Sequence, residues 1–213
     1  MNESLTVYFD YKSPYTYVGK NLVYDLEKEF DLKVEWRPYN LSIPDAFGAA
    51  ETNERGEVIT DERSAHQWRR VKYMYVDCRR LAKQRGLPFR PPLKVFGSNT
   101  AHIGMLYAER AGARRPYNDT VFELFWKREL DIDDAAAIAG VLEKLGVDAK
   151  AFPEYLRGEG RIAHEKLMTE AHERGVFGVP TFIFGHGGDM YWGSENLPVI
   201  RERLAAGETA KAS

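Results

Sequence analysis

The chain has 213 residues, of which 44% are hydrophobic, and a formal net charge of -2 at pH 7. This composition supports a sizeable core, and it disfavours both a disordered chain and a nucleic-acid-binding protein, which would usually carry a basic excess. With a single cysteine, no long apolar run and no basic-then-apolar segment at its start, the sequence predicts a cytoplasmic protein without an internal disulfide, a membrane span or a signal peptide.

The beginning of the chain predicts a strand, a helix and a second strand. Apolar and polar residues alternate over residues 5–9, as in a strand with one buried face. Ser13 and Pro14 are residue types preferred at the N-cap and at the first helical position. The helix is expected to end near residue 29 or 30, and alternation resumes over residues 33–37. Together these elements have the size of a βαβ unit with parallel strands.

The middle and the end of the chain differ in the spacing of their apolar residues. Residues 40–62 show no regular spacing and are predicted to be a long loop, of a kind that is often functional in a compact domain. From there the pattern is helical as far as about residue 175. Strand signals return at 181–184 and 190–192, joined by a turn at 185–188, and a last amphipathic helix follows.

The order of these elements predicts an α/β protein with a thioredoxin-like fold and a large all-helical insertion between the second and third strands. Residues 1–60 and 176–213 form the predicted thioredoxin-like domain, and residues 61–175 form the inserted helical domain. Within the insertion, Gly86 and Gly112 are predicted to stop two helices.

Ser13 is the first candidate for chemistry. Serine before proline at a helix start is above all a capping pair. The first N–H groups of a helix have no partner inside it, and the helix dipole is positive there. Such a helix end stabilises an anion by about 0.3–1 kcal/mol, which lowers the pKa of a thiol that lies over it. The position therefore also suits a thiolate or a carboxylate.

Val179-Pro180-Thr181 is the second candidate. A proline at the first residue of an edge strand is an ordinary structural feature, and few X-Pro bonds in folded proteins are cis. A cis bond here would expose the Val179 backbone N–H and C=O to an extended peptide-like ligand, which would pair with them as an added strand does.

Four segments together resemble one family. They are F-D-Y-K-S-P-Y-T-Y at 9–17, Y-M-Y-V-D-C-R-R-L-A at 73–82, G-V-F-G-V-P-T at 175–181 and W-G-S-E-N-L at 192–197. In this order they resemble the 2-hydroxychromene-2-carboxylate isomerases, which are close to kappa-class glutathione transferases in the DsbA-like branch of the thioredoxin superfamily. The resemblance implies a thioredoxin fold with a helical insertion, a cis-proline at Pro180, bound glutathione or another small thiol, and a homodimer. It also implies that Ser13 replaces the reactive cysteine of the oxidoreductases and holds the glutathione sulfur.

The resemblance further implies roles for residues at matching positions. Val179, beside Pro180, is implied to pair its backbone with the cysteinyl part of glutathione. Ser194 and Glu195 are implied to receive the γ-glutamyl end, although this chain has Glu195-Asn196 where the family usually has Asp-Arg. The remaining matches are Asn53 for glutathione, and Arg70, Asn99, Trp126 and Trp192 for the substrate.

Dithiol redox chemistry is not expected. A disulfide exchanger needs a nucleophilic thiolate, usually in C-x-x-C. The corresponding residues here are Ser13-Pro14-Tyr15-Thr16, which hold no sulfur, and the single cysteine, Cys78, lies in the helical block.

The sequence thus supports one hypothesis and leaves two alternatives. The first is a glutathione-dependent cis-trans isomerase of an aromatic or otherwise unsaturated keto acid, in which the glutathione thiolate adds reversibly to the substrate. The second is a kappa-like glutathione transferase or peroxidase, since an electrophile can consume the same thiolate. The third is a non-catalytic thioredoxin-fold module that binds peptides at Val179. A small carboxylate substrate is expected, and no metal, nucleic acid or membrane partner is.

Overall fold

The computed structural model describes residues 4–53, 55–185 and 188–211. Residues 1–3, 212 and 213 of the predicted domain, and residues 186 and 187 of the predicted turn, lie outside the described residues. In chain order the elements are β1 (Leu5–Phe9), α1 (Pro14–Glu29), β2 (Val34–Pro38), α2 (Ile43–Phe47), β3 (Ala50–Thr52), β4 (Val58–Asp61), α3 (Ala65–Gln84), α4 (Asn99–Arg110), α5 (Arg114–Lys127), α6 (Ala135–Lys144), α7 (Phe152–Arg157), α8 (Glu159–Glu173), β5 (Thr181–Phe184), β6 (Met190–Trp192) and α9 (Leu197–Lys211).

The central sheet has four strands in the order β2-β1-β5-β6. β1 is parallel to β2, as the predicted βαβ unit requires, and antiparallel to β5, which forms an antiparallel pair with β6. The predicted strands over 5–9, 181–184 and 190–192 are confirmed to the residue. The predicted fold class is confirmed as well, because α3 to α8 all lie between β2 and β5.

The prediction of a loop over residues 40–62 was wrong. Ser42 caps α2, its side chain accepting a hydrogen bond from the backbone N–H of Asp45. β3 and β4 form a separate two-stranded sheet, an antiparallel hairpin whose turn is built by Asn53 and by Gly56 at a φ of 81°. Both elements are too short for a hydrophobic period to reveal them, and each depends on local side-chain-to-backbone bonds.

The helical insertion packs directly on the sheet. Tyr17 of α1 stacks on Trp126 of α5 with ring centroids 5.5 Å apart, and Phe9 of β1 contacts Phe122 of α5 at 5.9 Å. The predicted stops after α3 and α4 are confirmed at Gly86 and Gly112, which have φ of 66° and 71°. The division of the chain into two domains at residues 60 and 175 stays a prediction.

No helix formed by the described residues is long and apolar enough to cross a membrane.

Candidate functional site

Ser13 lies at the end of the short segment that joins β1 to α1, directly before the first helical residue. Its Oγ accepts a hydrogen bond from the Thr16 backbone N–H at 3.3 Å, and its own N–H donates to the Asp10 carbonyl at 3.0 Å. Pro14 is the first helical residue. The predicted N-cap is therefore confirmed, and it fixes the Ser13 hydroxyl at a largely buried position.

Val179 faces this hydroxyl from the other side. The Val179–Pro180 peptide bond is cis, as the resemblance implied. The Ser13 hydroxyl donates to the Val179 carbonyl, with 3.4 Å between the oxygens. Among the residues that the structure describes, none accepts a hydrogen bond from the Val179 N–H. Residues that are 166 positions apart in sequence thus meet at one point, as the resemblance requires.

A cavity of about 820 Å³ opens above Ser13 and Val179. Its inner end consists of buried residues, namely Lys12, Ser13, Pro14, Gly178 and Val179. Its outer end is lined by part of the β3–β4 hairpin, by residues 92–96 and by seven residues before and in α3, namely Arg63, Trp68, Arg70, Val71, Tyr73, Met74 and Tyr75. Aromatic side chains line much of the wall between them. A second, smaller cavity of about 520 Å³ lies beside α4 and α7 and contains none of the predicted site residues.

Four predicted site residues line the larger cavity, namely Ser13, Arg70, Val179 and Trp192. Trp192 is half exposed and packs against Phe177 with ring centroids 5.1 Å apart. Gly178 makes this arrangement possible, because a Cβ at that position would lie 2.6 Å from the Trp192 Nε1.

Three predicted site residues are not brought to the cavity wall. Trp126 is fully buried and stacks between Tyr17 and Phe89. The Asn53 side chain stabilises the hairpin turn, where its Oδ1 accepts hydrogen bonds from the backbone N–H groups of Arg55 and Glu57. Asn99, the first residue of α4, is exposed. It accepts a hydrogen bond from Asn40 at 3.0 Å, and Asn40 in turn contacts Lys12 at the inner end.

Pro180, Ser194 and Glu195 lie next to the cavity without lining it. Pro180 is buried beneath Val179, and its carbonyl accepts from the Gly193 N–H at 2.9 Å. Ser194 and Glu195 belong to a single 3-10 turn that leads into α9. Ser194 packs close to α1, since a Cβ on Gly19 would lie 3.0 Å from the Ser194 Cβ. The γ-glutamyl role of this pair stays a prediction.

A buried polar cluster behind the inner end was missed at the sequence level. The Lys12 Nζ donates to the Asp10 Oδ2 at 2.5 Å, to the Asn40 Oδ1 at 2.7 Å and to the Ser98 Oγ at 2.7 Å. Asp10 also accepts from the backbone N–H of Leu41 at 2.8 Å. The available signal was the pair of charges at positions 10 and 12, directly after an apolar strand and directly before a helix cap.

This cluster is charged despite its burial. Burial alone would raise the pKa of Asp10, but the Lys12 ammonium, His102 and the hydrogen bonds hold that pKa below its ordinary value. The Nε2 of His102 lies 3.6 Å from the Asp10 Oδ1, and its Nδ1 lies 3.4 Å from His164. Burial lowers the pKa of His102 to about 3, so the ring is neutral near pH 7. The Lys12–Asp10 ion pair is thus the charged centre of the cluster.

The outer end carries cations on aromatic supports. The Arg63 guanidinium lies 4.9 Å from the Trp68 ring centroid, and the Arg70 guanidinium lies 5.6 Å from that of Phe47. In the described part of the chain no carboxylate forms an ion pair with Arg70. An acidic ligand in the cavity therefore has a cation available to it.

Cys78 cannot supply a nucleophile to this site. It is fully buried in α3, and burial raises the pKa of its thiol to about 12. A thiol in that state is protonated near pH 7 and inert. Within the described residues, no group of three or more His, Cys, Asp or Glu side chains is placed to hold a metal ion.

Comparison with known proteins agrees with this geometry. The sequence model of the DSBA-like thioredoxin domain matches residues 4–205. The chain is 27% identical over 205 residues to the 2-hydroxychromene-2-carboxylate isomerase of Sphingobium xenophagum, covering 96% of this chain and 99% of that protein.

Two solved structures share the fold. A selenomethionine structure of 2-hydroxychromene-2-carboxylate isomerase has a TM-score of 0.74 at 24% identity and covers 98% of both chains. The cytosolic disulfide reductase DsbM from Pseudomonas aeruginosa, solved with GSH, has a TM-score of 0.66 at 16% identity and covers 99% of this chain and 100% of its own. The chain therefore belongs to the DSBA-like thioredoxin family, as its resemblance to the 2-hydroxychromene-2-carboxylate isomerases of that family implied.

Proposed function

We propose that this protein is a glutathione-dependent isomerase of an aromatic or otherwise unsaturated keto acid. The observation that carries the proposal is the pairing of Ser13 with Val179 in a cavity without a cysteine. The family resemblance implies that this is the thiolate site of the family, in which Ser13 stands where the oxidoreductases carry their reactive cysteine. The nucleophile then has to come from a bound thiol.

The residues of the inner end fit glutathione. A tripeptide needs an extended backbone partner, and Val179 offers a carbonyl and an N–H without a protein acceptor. A thiolate needs donors and positive potential, which the Ser13 hydroxyl and the start of the 16-residue helix α1 supply. A cavity of about 820 Å³ has room for the tripeptide and a small substrate together.

The chain's residues have separate roles in this reaction. Glutathione, when bound, would supply a thiolate nucleophile for reversible addition to an electron-poor carbon, which would make a double bond of the substrate rotatable. The Ser13 hydroxyl, whose proton points to the Val179 carbonyl in the structure, would turn from that carbonyl to donate its hydrogen bond to the sulfur at the helix start. Arg70 pairs with the substrate carboxylate at the outer end, and Trp192 packs against the ring. No atom is gained or lost overall, so glutathione is not consumed.

The relatives support both parts of this proposal. The curated relative and one solved structure bear the name 2-hydroxychromene-2-carboxylate isomerase, and a reductase of the same fold was solved with GSH. A homodimer and a cytoplasmic location belong to the same proposal, since the family resemblance implies the first and the lone cysteine favours the second.

The test is isomerisation of 2-hydroxychromene-2-carboxylate with and without glutathione, in the wild type and in Ser13→Ala. A hydrogen bond to a charged group contributes about 1.5–3 kcal/mol, so Ser13→Ala should lower kcat about 10- to 100-fold. Ser64→Ala is the matched control, because Ser64 caps α3 in the same way but does not line the cavity.

Three outcomes distinguish the candidate functions. Isomerisation that requires glutathione, at a constant glutathione concentration, supports the proposal. Consumption of glutathione by a chlorodinitrobenzene-type electrophile, without isomerisation, would replace it with a transferase. A wild-type protein that binds no glutathione and isomerises nothing would leave the peptide-binding module as the remaining candidate function.

A further inference from the structure

Lys12 has no role in the proposed reaction so far, yet it is the buried cation nearest in sequence to Ser13. Its ammonium group has three protons, and three oxygens accept them, from Asp10, Asn40 and Ser98. These acceptors are the residue that follows β1, a residue in the segment after β2 and the residue that precedes α4. The ammonium is therefore held from three sides and has no proton left for a ligand.

The ion pair of Lys12 with Asp10 has a direction. Lys12 lines the inner end of the cavity, whereas Asp10 is fully buried and does not line it. Behind Asp10 lie His102, which burial keeps neutral, and beyond it His164. Lys12 is thus the member of the pair that lines the cavity, next to Ser13 in sequence, and its counter-charge belongs to a residue that does not.

We infer that Lys12 is a positioning residue of the site: its buried ammonium, backed by Asp10, supplies a fixed positive potential that favours the anionic form of a thiol bound at Ser13. The inference rests on the proposed function and adds a residue to it. Lys12 acts through its field, because its protons are already used. A charge that is fixed in a low-dielectric surrounding acts strongly and needs no reorganisation when the thiolate forms.

Lys20 shows that burial of a lysine at α1 does not by itself create this effect. Its side chain is about as buried as that of Lys12, and it pairs with Asp119 at 2.6 Å. Asp119 is 41% exposed, however, and Lys20 does not line the cavity. Lys20→Met is therefore a matched control for Lys12→Met.

The experiment measures the pKa of the thiol of bound glutathione from the ultraviolet absorbance of its thiolate. It compares wild type, Lys12→Met, Asp10→Asn/Lys12→Met and Lys20→Met, each saturated with glutathione. We expect the pKa of the bound thiol to rise by about one unit in both Lys12 variants, which is about a tenfold smaller thiolate-to-thiol ratio, and to stay unchanged in Lys20→Met. The double variant removes both charges and so folds without an unpaired buried carboxylate.

A purely structural role of Lys12 predicts a different result. It would weaken glutathione binding or lower stability, but it would leave the pKa of the thiol that does bind unchanged. An unchanged thiol pKa in the double variant, in a protein whose wild type isomerises with glutathione, overturns the inference alone. Absence of any glutathione binding to the wild type overturns the proposed function and the inference with it.

Discussion

The inner and outer ends of the cavity are built in opposite ways. At the inner end every lining residue is buried; hydrogen bonds tie Lys12 to Asp10, Asn40 and Ser98, and Ser13 to Thr16. At the outer end the hairpin β3–β4 is a separate two-stranded sheet, and Arg70 on α3 is exposed. In the proposed function, the chemistry then takes place at a rigid, preformed end, whereas ligand selection depends on exposed residues.

The strongest test of this contrast is the stability of Lys12→Met. The change leaves the Asp10 carboxylate buried without its cation, and breaking such a buried pair costs about 3–5 kcal/mol of unfolding free energy. Lys20→Met should cost only about 1 kcal/mol, because Asp119 stays partly in water. Urea unfolding of both variants gives the comparison.

Asp10→Asn/Lys12→Met supplies the control for this prediction. Removing both charges should recover most of the loss, because no ionised group is then left unpaired in the core. If Lys12→Met and Lys20→Met prove equally stable, the inner end is not the rigid centre that its hydrogen bonds indicate.

The inner end should also respond to acid. Burial holds the pKa of His102 at about 3 in the folded state, against an ordinary value of 6.5. Between these values the unfolded chain binds a proton that the folded chain excludes. Stability is therefore complete above pH 6.5 and falls by about 1.4 kcal/mol per pH unit as the pH drops below it. The depressed pKa of Asp10 adds to the loss in the same direction at lower pH.

His102→Gln removes this titration while it keeps a polar side chain at the position. Its unfolding free energy, measured by urea titration from pH 7 to pH 4, should depend on pH less steeply than that of the wild type. If the unfolding free energy of the two proteins depended equally on pH, another group would be responsible for the loss of stability in acid.

The contrast between the two ends also explains what the sequence could predict. Ser13 is recognisable because its cap depends on neighbours within three residues, and the strand before it shows a clear alternation. The Lys12 cluster depends on Asn40 and Ser98, which are 28 and 86 residues away, and no local pattern carries that information. The pairing of Ser13 with Val179 was reached only through the family resemblance.

The elements of the outer end could not be predicted from the sequence for another reason. Its elements are short, and their residues are exposed, so burial imposes no period on them. The Asn53 turn consists of side-chain bonds to the backbone, which use the same residue type that a glutathione contact would need. Trp126 was predicted to bind substrate but lies in the core, since an aromatic residue of the core and one of a pocket wall look alike in sequence.

The smallest expected effect belongs to Arg70, and it tests the outer end alone. Arg70→Ala should raise the KM for the carboxylate substrate about tenfold, through loss of one charged hydrogen bond, with little change in kcat. Arg69→Ala is the matched control, because Arg69 is the exposed neighbour on α3 that does not line the cavity. Neither change should alter unfolding free energy by more than about 0.5 kcal/mol, since both side chains lie at the surface. A loss of kcat in Arg70→Ala, or an equal rise of KM in Arg69→Ala, would contradict the proposed difference between the two ends, because substrate binding would then not depend on the position of Arg70 at the cavity wall.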